Sequence, residues 1–411
     1  MINIAVLGYG TVGSGVVEVL DTNRECISQR VGEEIRVKYV LDLRDFPGDP
    51  VQNILIHNFE EIIRDEDVKI VVEVMGGIEP AYTFVKRSLL AGKSVATSNK
   101  ALVAKHGAEL LSIAKEKQIN FLFEASVGGG IPIIRPLNSS MTADEIEEIT
   151  GILNGTTNYM LTKMFYEGAG YEEVLRQAQE NGYAEKNPEA DVEGYDACRK
   201  IAILSSLISG HQVDFEDIYT EGITEITERD MEYAKQMQMT IKLLASSRRS
   251  GECLSAIVAP CLLENTHPLF GVNGVFNAIF VHGNVLGDAM FYGSGAGKLP
   301  TASAVVADVV EEAKNLNRNV MTMWKSDKLK LQDKGDTIRR FFVRITGNAE
   351  AMKTYIESIF GPVQIVMLPD VEEEFAFLTG RMTERAYEEC AAKFPNIIRM
   401  IRMQEQSGSK E

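Results

Sequence analysis

A glycine-rich turn near the N-terminus constrains the fold of this chain more than any other feature. An apolar, strand-like run, Ile2–Leu7, leads into the sequence GYGTVG at positions 8–13, and an apolar helical run follows. In such a strand–turn–helix unit, the glycines permit a tight turn and a close approach of backbone to a pyrophosphate, while the helix N-terminus offers free N–H groups. The turn therefore predicts a dinucleotide site, the alternative being a purely structural turn. The residues expected to contact the cofactor are Gly8, Gly10, Thr11, Val12 and Gly13.

The second predicted strand, Val37–Leu41, ends beside two candidates for recognising the adenosine ribose. Asp42 would accept hydrogen bonds from a 2′-hydroxyl group and favour NAD, whereas Arg44 would pair with a 2′-phosphate and favour NADP. Both residues lie at the correct end of the strand, so the sequence leaves the choice between the two cofactors open.

Short apolar runs alternate with helical patterns through the first third of the chain. This alternation predicts an α/β fold with a doubly wound parallel sheet, a Rossmann-type nucleotide domain over residues 1–130. A helix over residues 300–320 is expected to complete that domain. The other predicted elements are the strands Ile70–Val74, Ser94–Thr97 and Phe121–Glu124 and the helices Ala81–Ala91 and Ala101–Lys117.

The pattern changes beyond residue 130. Residues 131–299 contain a longer helical pattern at Glu193–Ser209 and strand-like runs at Ser255–Leu263 and Val275–Leu286, which predicts an α+β domain with a mixed sheet. A polar linker at 325–335 precedes a βαββαβ pattern over 336–405, the split βαβ or ferredoxin-like arrangement. The polar tail Gln404–Glu411 is expected to be disordered.

Charge and cysteine content limit the partners and the compartment. The formal net charge of −17 argues against nucleic acid or an anionic membrane surface as the main partner, because both need clustered cationic side chains. The five cysteines are scattered without a CxxC pair, which disfavours zinc and disulfides. With no signal-peptide pattern and no apolar run of membrane-spanning length, the expected location is the cytoplasm.

Two lysines lie where their side chains could contact a bound ligand. Lys100 follows the carboxyl end of a predicted parallel strand, where open α/β sheets bind ligands; a solvated lysine behind a helix cap is the alternative. Asp196 and Lys200 lie four residues apart on one predicted helix, on a face that continues with apolar residues. That placement indicates a cleft, whereas the alternative is a surface ion pair worth at most about 0.5 kcal/mol.

Acidic and glycine-rich loops supply the remaining candidates. Glu185 and Asp191 precede the helix of Lys200, where acidic residues are commonly solvated or cap the helix. The loop at 124–131 contains three consecutive glycines, which suit either a hinge or a site for a hard cation. The loop Gly293–Gly297 suits an anion or a nicotinamide ribose, or plain flexibility between domains.

Several stretches occur in a specific order over residues 1 to about 320. They are Ser98–Lys100, Glu124–Pro132, Gly151–Tyr159, Gly182–Glu185, Asp191–Asp196 with Lys200, and Gly293–Gly297 followed by Pro300–Ala302. In these stretches the chain resembles homoserine dehydrogenase, which interconverts homoserine and aspartate semialdehyde on the route to threonine, methionine and isoleucine. The C-terminal unit resembles the regulatory ACT domain of some members, but its first loop, at 346–350, lacks their effector-binding sequence, so threonine inhibition is not expected.

The resemblance implies roles for individual residues. Lys200 would be the general acid/base at the substrate hydroxyl group, oriented by Asp196, and Lys100 would act at the substrate beside the cofactor. Glu185 and Asp191 would bind the substrate ammonium group, and the substrate domain would form a homodimer or homotetramer. The other implied positions are Gly297 for the cofactor and, for a monovalent cation such as sodium held largely by main-chain oxygens, Glu124, Val127, Gly129 and Ile131.

Two other functions stay open. A different NAD(P)-dependent amino-acid dehydrogenase of the same two-domain shape would share the nucleotide turn, but it would not be expected to carry Gly151–Tyr159 together with Asp191–Lys200. A non-catalytic protein that senses a nucleotide or an amino acid would be expected to lack Lys100 or Lys200, and both are present.

Overall fold

A computed structural model describes residues 1–251, 253–321 and 324–405 of the chain. These residues form two compact units, each built from several segments. The first unit contains Met1–Glu145, Ala202–Phe215 and Phe291–Leu329. The second unit contains Ile146–Ile201, Glu216–Met290 and the chain from Lys330 onward.

The helices and strands are numbered in chain order. In residues 1–145 they are β1 (Ile2–Leu7), α1 (Thr11–Thr22), α2 (Arg24–Val31), β2 (Ile35–Leu41), β3 (Leu55–Ile56), α3 (Phe59–Arg64), β4 (Val68–Glu73), α4 (Ala81–Leu90), β5 (Ser94–Thr97), α5 (Lys100–Glu116) and β6 (Phe121–Leu122). In residues 146–286 they are β7 (Ile146–Ile152), α6 (Gly155–Glu167), α7 (Tyr171–Glu180), α8 (Glu189–Val192), α9 (Tyr195–Ser209), β8 (His211–Gln212), β9 (Tyr219–Thr220), α10 (Glu228–Gln236), β10 (Met239–Ser250), β11 (Cys253–Glu264) and β12 (Phe276–Gly283). From residue 287 they are β13 (Gly287–Ser294), α11 (Lys298–Lys314), β14 (Lys325–Lys328), β15 (Ile338–Arg339), β16 (Phe341–Thr346), α12 (Ala349–Phe360), β17 (Gln364–Val366), β18 (Glu374–Leu378), β19 (Met382–Thr383), α13 (Glu384–Ala391) and β20 (Ile397–Gln404). None of the helices in the described part of the chain is long and apolar enough to cross a membrane.

The first unit is built on a parallel sheet with the strand order β3-β2-β1-β4-β5-β6. Its central strands β1 and β4 are mostly apolar, as is typical of a sheet with helices on both faces. The doubly wound fold predicted from the sequence is therefore confirmed. Helix α11 packs on α1 in this unit, and the approach is so close that a Cβ at Gly15 would lie 2.9 Å from the Ala302 Cβ.

The second unit contains a mixed sheet with the order β13-β12-β7-β10-β11-β20-β16-β18-β17, in which β20 runs parallel to β11. The mixed sheet was expected, but the sequence pattern missed the long strand β10. Its buried residues include Thr240, Lys242 and Ser247, so the strand lacks the apolar run or alternation by which strands are recognised. The predicted run Val275–Leu286 contains one strand, β12, which ends at Gly283, and the next strand, β13, begins at Gly287, beyond that run.

The C-terminal segment has the predicted βαββαβ order in β16, α12, β17, β18, α13 and β20, and its strands pair in the order β20-β16-β18-β17. Because β20 also pairs with β11, this segment shares one sheet with the central region, and the predicted boundaries between three domains stay a prediction. Two local predictions differ from the structure. The polar linker includes β14, which pairs with β8, since backbone pairing needs no apolar side chain. Gln404 ends β20 rather than beginning a tail, and residues 406–411 lie outside the described residues.

Candidate active site

The nucleotide turn has the geometry that a dinucleotide requires. A Cβ at Gly13 would overlap the carbonyl oxygen of Gly8, so only glycine allows helix α1 to start this close to β1. A Cβ at Gly10 would meet nothing within 4 Å, which leaves space in front of the turn. Gly10 is the N-cap of α1 and provides no side-chain cap, and the first helical turn, from Thr11 and Val12, contains no acidic residue. The N–H groups of this helix end can therefore bind an anion.

Asp42 and Arg44 form one hydrogen-bonded group beside that turn. The Tyr9 N–H donates to Asp42 Oδ2 at 2.8 Å, and the Arg44 guanidinium donates to both Asp42 oxygens at 3.0 Å. Hydrogen bonding from Arg44 is the main reason that the pKa of Asp42 lies well below its usual range. The Asp42 side chain is only 10% exposed, whereas Arg44 is 62% exposed. The arginine is thus the more accessible of the two ribose candidates.

A buried glutamate organises the next strand ends, and the sequence reasoning missed it. Glu73 ends β4, and its Oε2 accepts a hydrogen bond of 2.7 Å from Thr97 Oγ1 at the end of β5. Burial raises the pKa of Glu73. The Thr97 hydroxyl oxygen also accepts the Asn99 N–H at 2.9 Å, and Asn99 caps α5, which begins at the half-buried Lys100. The sequence signal that could have identified Glu73 is its position as an acidic residue at the carboxyl end of a parallel strand, where ligands bind.

The loop of the predicted cation site uses its glutamate for another purpose. The buried carboxylate of Glu124 accepts the backbone N–H groups of Ile133, Ile134 and Arg135 at 2.6 to 2.8 Å. Its side chain is therefore already engaged with backbone donors. In the described part of the chain, no group of three or more His, Cys, Asp or Glu side chains could hold a metal ion. Apart from the Ser126 hydroxyl group, which donates to the Phe123 carbonyl oxygen at 2.6 Å, the remaining oxygens of this loop belong to the main chain.

The two glycine-rich loops of the first unit pack against each other through their backbones. A Cβ at Gly129 would overlap the carbonyl group of Gly295, and the Gly130 N–H donates to the Ser294 oxygen at 3.1 Å. Gly297 ends the second loop as the N-cap of α11 and, like Gly10, provides no side-chain cap. The helix N-terminus at Gly297 can therefore also bind an anion.

Asp308 on α11 supports this loop and was not predicted. Its Oδ2 accepts the Glu124 N–H at 2.8 Å, and its Oδ1 forms an ion pair of 2.5 Å with Arg135. Burial raises the pKa of Asp308 to about 7, although Arg135 opposes that shift. No local sequence signal indicates a role for Asp308, because its partners lie more than 170 residues away along the chain.

In the second unit, Lys200 and Asp196 form a buried pair on α9. Lys200 Nζ donates to Asp196 Oδ2 and to the Leu153 carbonyl oxygen, both at 2.7 Å. Lys200 is 9% exposed and Asp196 is 5% exposed, so this is not the surface ion pair that the sequence left as an alternative. Helix α9 begins at Tyr195 rather than at Glu193, since the short helix α8 precedes it.

Asn154 joins this pair to one of the predicted substrate ligands. Asn154 Nδ2 donates to Asp191 Oδ1 at 2.7 Å and to Asp196 Oδ2 at 3.0 Å. The structure thus brings Asp191, Asp196 and Lys200 into one hydrogen-bonded group, while Glu185 lies exposed on the loop before α8. The sequence reasoning gave Asn154 no role. In the structure it precedes the start of α6, where an asparagine side chain commonly caps a helix.

Two family models match most of the chain. Residues 8–124 match the homoserine dehydrogenase NAD-binding domain, and residues 132–310 match homoserine dehydrogenase. A homoserine dehydrogenase of Bacillus subtilis (strain 168) is 43% identical over 323 residues, which are 78% of this chain and 74% of the relative.

Solved structures agree with these matches. The crystal structure of a homoserine dehydrogenase from Thiobacillus denitrificans is similar with a TM-score of 0.89 and 34% identity, over 98% of each chain. A hyperthermophilic archaeal homoserine dehydrogenase in complex with NADPH has a TM-score of 0.66 and 29% identity, over 77% of this chain and 99% of the other.

The relatives and the site geometry together decide between the functions that the sequence left open. They favour homoserine dehydrogenase over a different amino-acid dehydrogenase and over a non-catalytic sensor. The chain belongs to the homoserine dehydrogenase family, whose members are NAD(P)-dependent oxidoreductases that act on a CH–OH group.

Proposed function

We propose that this chain catalyses the reversible reduction of L-aspartate 4-semialdehyde to L-homoserine with NAD(P)H, in the biosynthesis of threonine, methionine and isoleucine. The buried pair of Lys200 and Asp196, bonded through Asn154 to Asp191, is the observation that carries this proposal. When bound, the nicotinamide supplies the hydride to the aldehyde carbon. Lys200 donates a proton to the aldehyde oxygen as that oxygen becomes a hydroxyl group, and it removes the same proton in the reverse direction.

The residues around Lys200 divide the remaining tasks. Asp196 orients the ammonium group of Lys200 through the 2.7 Å bond between them. The carboxylates of Asp191 and Glu185 bind the substrate ammonium group, because a cation is held best by opposite charge. By the resemblance, Lys100 would act at the substrate and would contact the bound cofactor. These roles come from the resemblance and are consistent with the positions within each unit.

The activity itself is tested directly. Purified protein is mixed with aspartate semialdehyde and either NADPH or NADH, and cofactor oxidation is followed by absorbance. We expect turnover with at least one cofactor and the reverse reaction with homoserine. Absence of turnover with both cofactors in both directions would overturn the proposal.

The cofactor residues fit NAD(P), and we propose NADP as the preferred form. Gly8, Gly10, Thr11, Val12 and Gly13 would hold the pyrophosphate, and Gly297 would contact the nicotinamide side. The support for NADP lies at Asp42, whose two oxygens already accept bonds from Tyr9 and Arg44, while the exposed Arg44 is available to a 2′-phosphate.

Arg44→Ala is expected to reduce the preference for NADPH over NADH, measured as the ratio of kcat/KM values, by about 10- to 100-fold. A hydrogen bond to a charged group contributes about 1.5–3 kcal/mol, and the substitution also releases Asp42 to accept bonds from a 2′-hydroxyl group. Arg24→Ala, which removes another exposed arginine with an aspartate partner, is the matched control and should leave the ratio unchanged. An unchanged ratio in Arg44→Ala would favour NAD recognition through Asp42.

We propose a monovalent cation, sodium in particular, in the loop at 124–131. The support is that the Glu124 carboxylate and the Ser126 hydroxyl group are both engaged with the backbone, which leaves main-chain oxygens as ligands. Neutral oxygens suit a hard cation. Main-chain oxygens of Glu124, Val127, Gly129 and Ile131 would hold it. We expect a higher melting midpoint in sodium chloride than in choline chloride at equal ionic strength. An ion that binds only the native state stabilises that state against unfolding. Equal melting midpoints in the two salts would contradict the proposed cation site.

We also propose a homodimer or homotetramer that works in the cytoplasm. Strand β13 is an end strand of the large sheet and exposes Met290 and Tyr292, and such edges favour pairing with another chain. The five cysteines are free thiols, which suits a reducing compartment. The βαββαβ segment would be an ACT-like domain kept for subunit contacts or for a ligand other than threonine.

A further inference from the structure

We propose that Asn154 is a positioning residue that holds Asp191 and Asp196 in place, so that substrate binding and proton transfer share one fixed geometry. The inference rests on the proposed roles of Lys200 and Asp191. Two hydrogen bonds carry it, from Asn154 Nδ2 to Asp191 Oδ1 at 2.7 Å and to Asp196 Oδ2 at 3.0 Å.

The orientation of the Asn154 amide is fixed from its other end. Asn154 Oδ1 accepts the Thr157 N–H at 2.9 Å and the Thr157 hydroxyl group at 3.1 Å, which makes the residue the N-cap of α6. The side chain is buried, so water does not compete for these bonds. Because the amide group is planar, anchoring its oxygen at the helix end also directs its two N–H donors. Those donors reach residues 37 and 42 positions further along the chain.

The same short segment contacts Lys200 through its backbone. Lys200 Nζ donates to the carbonyl oxygen of Leu153, the residue before Asn154, and to the Asp196 oxygen that Asn154 also contacts. The end of β7 and the start of α6 thus fix both members of the pair. A shift of the Asn154 amide would therefore move Asp196 and, through it, the Lys200 ammonium group.

Electrostatics explains why an amide suits this position. Two carboxylates within reach of one nitrogen atom repel each other, and a neutral donor stabilises the ionised form of both without adding charge. An aspartate here would keep the cap acceptor but replace the donors with a third carboxylate. A serine would keep the cap, since serine and asparagine cap helices about equally well, but its side chain is too short to span both aspartates.

The test is Asn154→Ser, with Asn348→Ser as the matched control. Asn348 caps α12 by accepting the Ala351 N–H at 3.1 Å and is exposed, so the control makes the same change at a cap remote from the proposed site. We expect Asn154→Ser to lower kcat by about 10- to 100-fold, as misplacement of a catalytic group does, and to raise the KM for the semialdehyde. The acid limb of the kcat–pH profile should move to higher pH, because Asp196 loses a donor that favours its charged form.

A merely structural cap would behave differently. It would lower the melting midpoint and leave kcat and the pH profile of the folded enzyme unchanged, and that result in Asn154→Ser would overturn the inference. If the serine variant does not fold, Asn154→Asp, which keeps the cap acceptor, takes its place with the same expected shift and a larger loss of kcat. Lys200→Met separates the two proposals. If Lys200→Met is inactive and the Asn154 variant is unaffected, only the role of Asn154 is excluded. If Lys200→Met is active, the proposed role of Lys200 is excluded.

Discussion

Lys200→Met is expected to lower kcat for semialdehyde reduction by about 10²- to 10⁴-fold, the range that general acid–base catalysis contributes. Methionine has a similar length and no proton to transfer, so the aldehyde oxygen would have to become a hydroxyl group without a proton from residue 200. The Asp196 carboxylate would keep its bond from Asn154 but lose its bond from Lys200. The effect should appear in both reaction directions, because the same group that donates the proton must remove it in reverse. Initial rates with semialdehyde and with homoserine measure it.

The matched control is Lys163→Met. Lys163 also forms an ion pair with a carboxylate four residues away on a helix, Glu167, but Lys163 is half-buried and Glu167 is exposed, so solvent reaches this pair. Such a pair contributes about 0.5 kcal/mol, so kcat should not change. Circular dichroism and a melting curve establish that each variant folds. A Lys200→Met enzyme that is folded and retains more than about a tenth of the parent kcat would exclude Lys200 as the general acid/base.

The sequence predicted the first unit well because its signals are local. The turn at 8–13, the mostly apolar strands and the helical patterns each occupy one short window, and each appears in the structure where it was expected. The βαββαβ order of the C-terminal segment was predictable for the same reason. Strand β10 was not, since its buried Lys242 is satisfied by Val272, Asn158 and Asn273, which are distant in sequence.

The candidate site divides in the same way. Asp196 and Lys200 could be paired from the sequence because they are four residues apart on one helix. The contribution of Asn154 was not predictable, since it depends on the approach of two aspartates from beyond helix α7. The sequence also could not show that Arg44 occupies both oxygens of Asp42, because two residues at one strand end have many relative orientations.

Glu384→Gln is expected to destabilise the protein by about 3–5 kcal/mol, the cost of removing one partner from a buried ion pair. Glu384 and Arg402 are both almost fully buried, and Arg402 donates to the two Glu384 oxygens at 3.0 and 2.5 Å. A second carboxylate, Glu221, pairs with Arg402 at 2.6 Å but is partly exposed. Without the charge on Glu384, the positive charge of the Arg402 guanidinium group stays buried and is only partly balanced by Glu221. The free energy of unfolding from denaturant titration measures the loss.

The pH dependence of this loss gives an independent check. Burial alone would raise the pKa of Glu384, but the hydrogen bonds and charge of Arg402, together with Lys334, outweigh burial and hold the pKa below its usual value. A carboxylate with a lowered pKa stabilises the fold fully above its unfolded-state pKa, and that stabilisation is lost as the pH falls through the folded-state pKa. The parent and Glu384→Gln should therefore differ most at neutral pH and converge in acid. Glu388→Gln, which neutralises the exposed carboxylate that also pairs with Lys334, should cost less than about 1 kcal/mol at every pH. A constant difference between the parent and Glu384→Gln across the acid range would mean that lost packing, rather than charge, accounts for the effect.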